Sequence, residues 1–197
     1  MNYRAKKSPA ILAFITILLM LFHCPAFGSG SPPSKGDVLP DITLSAPKNP
    51  SHRNYLGLPD ETSFKIPRIK AAVVIIEIFS MYCPYCQREA PEINRLYSII
   101  ENDPALKDKI KVIGIGTGNS SFEVDVFRDT YSVPFPLIAD EDYSVHKSFG
   151  EVRTPYFMGI KINEDGTHKV FYSEPGFIGV EPFLALMLKL SGLKQEE

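Results

Sequence analysis

One junction constrains this chain more than any other. An apolar run, Ala71 to Phe79, breaks at Ser80-Met81-Tyr82 and leads into Cys83-Pro84-Tyr85-Cys86. The run is rich in Val and Ile and reads as a buried strand. After it, Cys86, Ala90, Ile93, Tyr97 and Ile100 recur at helical spacing on one face. A Cys-x-x-Cys pair therefore sits where a central strand hands over to a helix.

That placement has chemical consequences. Pro84 suits the first helical position, because its missing N–H would have had no partner there. Cys83 then lies at the helix N-terminus, where unpaired N–H groups and the macrodipole stabilise a thiolate. Cys86 lies one turn further in and is more shielded. This divides labour as a dithiol exchanger needs: Cys83 attacks a partner disulfide and Cys86 resolves the mixed disulfide. A structural zinc would need four ligands, and outside the leader the chain offers only scattered His52, His146 and His168, which receive no role. Copper(I) held by both thiolates and one His, as in Sco-type proteins, is the competing metal reading. Those proteins have three residues between the cysteines, not two.

Glu77 lies in the same apolar run, flanked by Val73 to Ile76 and by Ile78-Phe79. A carboxylate there is poorly solvated, so its pKa should rise. It could then take or return the proton of Cys86 during resolution.

These features resemble the thioredoxin superfamily, and the chain after its leader resembles the TlpA/ResA-type exported thioredoxins. Glu77 stands six residues before Cys83, where the superfamily often carries a buried acid. Pro91 stands five after Cys86, where the family's helix is kinked. Thr154-Pro155, before Tyr156 to Ile160, fits the cis-proline facing the cysteine pair. Tyr82 replaces the family's usual Trp, and the chain has no Trp. The dipeptide between the cysteines, Pro-Tyr, is that of glutaredoxins.

The resemblance implies an α/β, thioredoxin-like fold, with a central mixed sheet flanked by helices on both faces. It also implies an N-terminal strand extension at Val38 to Leu44 and a β/α insertion at Phe135 to Phe149. Thr154, Pro155, Tyr82, Pro84 and Tyr85 would form the substrate rim, and a cis bond would place the Thr154 backbone beside the sulfurs. The implied activity is reduction of envelope-protein disulfides, such as apocytochrome c haem-binding cysteines or copper-centre cysteines of an oxidase. A membrane thiol donor would supply electrons. No cofactor beyond the redox-active pair is expected, and the protein is expected to be monomeric. A disulfide-donating oxidase of the same fold is the alternative within this class. Peroxidase activity is disfavoured: the peroxidatic loop needs Pro-x-x-x-Thr/Ser-x-x-Cys, and the residue seven before Cys83 is Ile76.

The first residues read as targeting rather than fold. Arg4, Lys6 and Lys7 precede the apolar stretch Ala10 to Phe22, and Ala26-Phe27-Gly28 offers a cleavage site, so residues 1–28 read as a secretory signal. The stretch is shorter than the about 20 residues of a bilayer span. An uncleaved anchor and a lipobox at Cys24 are competing readings, and bulky His23 weighs against the second. Cleavage removes three cations from a net charge of −2, giving −5. A mildly acidic chain without a basic run is a poor ligand for nucleic acid.

Residues 29–36 read as a Ser/Pro/Gly tether, and residues 37–194 as one domain. Ser45 to Lys65 reads mostly as a loop, long enough to cover something, with a minor strand over Phe64 to Ile69. Lys111 to Gly116 reads as a second buried strand. Gly114, Gly116 and Gly118 have the wrong spacing for a dinucleotide fingerprint. Ser120 or Ser121 caps a helix to Tyr131, Asn163 to Gly166 is a turn between antiparallel strands, and Val180 to Leu193 is an amphipathic closing helix.

Overall fold

A computed structural model describes residues 30–193. The proposed signal, Cys24 and the first residue of the tether lie outside the described residues. Five strands form the main sheet: β3 (Val73–Phe79), β4 (Ile110–Thr117), β5 (Leu137–Asp140), β6 (Tyr156–Ile162) and β7 (His168–Pro175). Their order is β5-β4-β3-β6-β7. The β3/β4 and β4/β5 pairs are parallel, whereas β3/β6 and β6/β7 are antiparallel. The fold is thus the expected mixed α/β sheet of thioredoxin-like type.

Alternation along β3 divides the core. Val73, Ile75 and Phe79 point to one face, which packs against α2 (Pro84–Asn102), α3 (Ser121–Tyr131) and α5 (Val180–Ser191). Val74, Ile76 and Ile78 point to the other, covered by α1 (Pro50–Leu56), α4 (Ser144–Ser148) and a two-stranded pair of β1 (Leu44–Ser45) with β2 (Ser63–Phe64). Every residue of β3 is buried on both sides, as a central strand between two helical layers must be. By this parity Glu77 faces the α2 layer.

The glycines of β4 are packing devices. A Cβ on Gly114 would stand 2.4 Å from a Leu137 methyl, and one on Gly116 would stand 2.8 Å from Val124. They let Phe79 and α3 approach the sheet closely.

Four sequence expectations need correction. The stretch Ser45 to Lys65 is not mostly loop: it carries α1, capped by the Asn49 side chain at Ser51 N–H, opened by Pro50 and closed by left-handed Gly57. Only Leu56 of α1 is fully buried, so no apolar periodicity announced it. Val38 to Leu44 does not form a strand; instead Gly36 and Asp37 pair with Val170 on the outer edge of β7, and only Leu44–Ser45 is extended and paired. The region Phe64 to Ile69 gives a two-residue strand followed by a 3-10 turn at Ile66–Arg68, because Pro67 cannot donate to a ladder. On α2 the buried positions include Leu96, while Tyr97 is only partly buried.

Helix α1 also covers the edge of β4 that β5 is too short to reach. The backbone N–H of Val112 donates to the Tyr55 hydroxyl at 2.8 Å. The Lys111 ammonium lies 4.2 Å from the centre of the Tyr55 ring.

Candidate functional site: a dithiol over a buried acid

The turn between β3 and α2 is held from several sides. The N–H of Met81 donates to the Asn119 side-chain oxygen at 2.8 Å, and the Gln87 amide donates to the Met81 carbonyl at 2.7 Å. The Tyr82 hydroxyl donates to Glu123. Glu123 is also the capping-box residue of α3, accepting from the N–H and hydroxyl of Ser120. The N–H of Cys83 donates to the Ser80 carbonyl at 3.0 Å. Cys83 is thereby fixed as the N-cap of α2, with Pro84 in the first turn.

At the N-cap, the Cys83 sulfur accepts from the backbone N–H of Cys86 at 3.4 Å. As a thiol it donates to the Thr154 carbonyl, also at 3.4 Å. Partial burial raises the Cys83 pKa, but the Thr154 side chain, the Cys86 thiol and the N–H groups of Cys86 and Tyr85 stabilise the thiolate and prevail. The net shift is below the ordinary thiol value. Cys86 is the converse. It is fully buried, and burial, the hydrogen bond with Cys83 and the negative potential of Glu77 drive its pKa far up. Both cysteines are free thiols in this structure.

Glu77 is 3% exposed, and its Oε1 has no hydrogen-bond partner among the described residues. Burial, then the charges of Glu89 and Cys83, raise its pKa to about 8. The sequence reading missed Glu89. It is half-buried in α2, its Oε2 is also buried and unpartnered, and burial raises its pKa against the opposing pull of Arg88. A signal was available: Glu89 lies three residues after Cys86, which on a helix is the same face.

The other named residues fall where the resemblance put them. The Thr154–Pro155 bond is cis. Tyr82 is 65% and Tyr85 59% exposed, and Pro84 is exposed. The histidines do not gather at the sulfurs. His52 lies on α1 with a pKa lowered by burial and by Arg128, His146 bonds the Val152 carbonyl, and His168 opens β7. No group of three His, Cys, Asp or Glu side chains poised to hold a metal occurs among the described residues.

A redox-ready Cys-x-x-Cys at a strand–helix junction, facing a cis-proline, defines a thioredoxin-superfamily protein. The chain belongs to the AhpC/TSA family, whose profile matches residues 36–172. It is similar to the thiol-disulfide oxidoreductase ResA of Halalkalibacterium halodurans, with 27% identity over 104 residues, 53% of this chain and 55% of that protein. The ResA of Geobacillus thermodenitrificans is 22% identical over 152 residues, 74% of this chain and 78% of that protein. The match thus spans about half the length of the first relative and about three quarters of the second. Among solved structures, a putative thiol:disulfide interchange protein DsbE from Chlorobium tepidum superposes with TM-score 0.60 at 17% identity, covering 81% of this chain and 99% of that one. StoA from Bacillus subtilis superposes with TM-score 0.51 at 18% identity, covering 72% and 93%.

Proposed function

We propose that this chain is an exported thiol–disulfide oxidoreductase that reduces disulfides of envelope proteins through Cys83 and Cys86. One observation carries the reading. A partly exposed, acidified Cys83 stands in front of a fully buried Cys86 held as the thiol, with an unpartnered acid beside them.

The Cys83 thiolate attacks one sulfur of the partner's disulfide. A Cys83–partner bond forms, and the partner's other sulfur leaves as a thiolate that takes up a proton. Glu77 accepts the Cys86 proton, directly or through a water, and the Cys86 thiolate attacks the Cys83 sulfur. The mixed disulfide breaks, releasing the second partner thiol. Two electrons have moved to the partner, and Cys83–Cys86 is left as a disulfide, which a membrane thiol donor reduces again. With its pKa raised to about 8, Glu77 is ionised in a minority of molecules at neutral pH, and that carboxylate is the form that takes the Cys86 proton. The cis-Pro155 loop presents the Thr154 backbone to an extended partner segment, and Tyr82, Pro84 and Tyr85 form the rim.

Charge at Cys86 supports the reductase direction. A strongly oxidising dithiol is one whose reduced, thiolate form is stabilised. Here burial and Glu77 disfavour the Cys86 thiolate, which favours the disulfide over the fully ionised dithiol and supports reductase work. The names of the similar relatives support disulfide chemistry, and the leader reading supports export. No helix among the described residues is long and apolar enough to cross a membrane. Expression of Cys86→Ser with its native leader tests the proposal. The variant should accumulate mixed disulfides through Cys83 with envelope proteins; their absence would remove the exchange reading.

A further inference from the structure

The loop that carries the cis-proline is held by few bonds. Among the described residues, the stretch Val152 to Thr154 takes part in two hydrogen bonds, both accepted by its carbonyls from side chains. The Thr154 carbonyl meets the Cys83 sulfur at 3.4 Å. The Val152 carbonyl meets Nε2 of His146 at 2.8 Å. A carbonyl oxygen only accepts, so Nε2 carries the hydrogen and the ring is fixed in one tautomer. Val152 precedes Thr154 by two residues, at most about 7 Å of chain, so a bond at one carbonyl limits the travel of the other.

His146 is itself anchored. It lies in α4, whose first N–H groups are taken by the buried Asp140 carboxylate: Val145 donates to Oδ1 at 3.0 Å and His146 to Oδ2 at 2.9 Å. The His146 carbonyl accepts the N–H of Glu151 at 2.9 Å, which turns the chain back toward the ring. Glu151 is left-handed there, with φ 54°, a conformation that a non-glycine residue keeps only where its surroundings hold it.

The same helix reaches the other wall of the site. Tyr143, just before α4, has its ring centre 6.1 Å from that of His146 and covers Gly118, where a Cβ would stand 2.3 Å from the phenol. The next residue, Asn119, holds the Met81 N–H of the dithiol turn at 2.8 Å. Helix α4 thus links the turn before Cys83 to the loop before Pro155.

We propose that His146 is a positioning residue for disulfide exchange: its ring holds the cis-proline loop where the Thr154 backbone can pair with a partner polypeptide at the Cys83 sulfur. The inference rests on the exchange reading above and adds a residue to its machinery. His146 touches neither sulfur in this role; it acts through Val152.

The test compares two substrates at pH 7. One is a synthetic peptide with a central disulfide in an extended segment. The other is dithiobis-nitrobenzoate, a small aromatic disulfide with no backbone to pair. Any change in Cys83 acidity affects both, so the ratio of their kcat/KM values isolates backbone presentation. In His146→Leu the ratio should fall about fivefold, as expected for the loss of one hydrogen bond. His146→Gln, whose amide can donate from the place of Nε2, should restore it to within about twofold. Tyr55→Phe, a destabilised variant remote from the sulfurs, should keep the parent ratio. Nitrogen NMR of the parent should show the Nε2–H tautomer of His146. An unchanged ratio in His146→Leu, an equal loss in His146→Gln, or the Nδ1–H tautomer would overturn the positioning role while leaving exchange intact. If the parent protein reduces neither substrate, exchange itself fails and the positioning role falls with it.

Discussion

The sulfur of Cys83 lies 3.4 Å from the carbonyl oxygen of Thr154, a residue 71 positions further along the chain. The contact joins the two halves of the site: the strand–helix junction that carries the nucleophile, and the cis-proline loop that presents backbone to a partner. The pairing of β3 with β6 holds them in register, with Ile78 opposite Tyr156.

The two thiols should differ sharply in reactivity. Cys83 is partly exposed with a lowered pKa, and Cys86 is buried with a raised one. Limiting iodoacetamide at pH 7 should alkylate Cys83 almost alone, as read by peptide mass spectrometry. Comparable labelling of Cys86 would contradict this division of labour.

Glu77 makes stability depend on pH. Its pKa is about 8 in the fold, against an unfolded value near 4.3. Between those values the folded state binds the extra proton, so stability is full below about pH 4 and declines as pH rises to about 8. The loss should reach a few kcal/mol. Glu77→Gln should flatten that decline in denaturant titrations, and its mixed disulfides should resolve more slowly, by about 10²-fold. A decline of the same size in the variant would point to another group.

Glu89 should tune Glu77. Its charge raises the Glu77 pKa, so Glu89→Gln should lower it. The shift can be followed by infrared detection of the Glu77 carboxyl or by the pH profile of resolution. An unchanged profile would separate the two acids.

The Tyr55 hydroxyl is the only partner described for the Val112 N–H. Tyr55→Phe leaves that group unpaired beneath α1 and should cost about 1–3 kcal/mol. A thermal melt within 1 °C of the parent protein would show that α1 does not protect the edge of β4.

What could be read in the sequence followed the strength of local signals. β3 and the Cys-x-x-Cys helix were legible because a Val/Ile run, Pro84 and a helical apolar face agree on one structure. The start of α3 was legible to within one residue, Ser120 or Ser121, because a hydroxyl cap is followed by acids at Glu123 and Asp125; the structure has Ser120 as the cap. Helix α1 was passed over, although Asn49, Pro50 and Gly57 mark its ends, because a single buried residue gives no periodicity. Glu89 was missed for a different reason. Its role depends on Glu77, which is distant in sequence and reaches it only through the packing of α2 on β3.

The dithiol reduction potential tests the central claim most directly. Equilibration of the Cys83/Cys86 pair against glutathione or dithiothreitol buffers should give about −250 mV or lower, as expected of a reductase whose buried Cys86 is held as the thiol beside Glu77. A value near −120 mV, that of a strong oxidant, would contradict it.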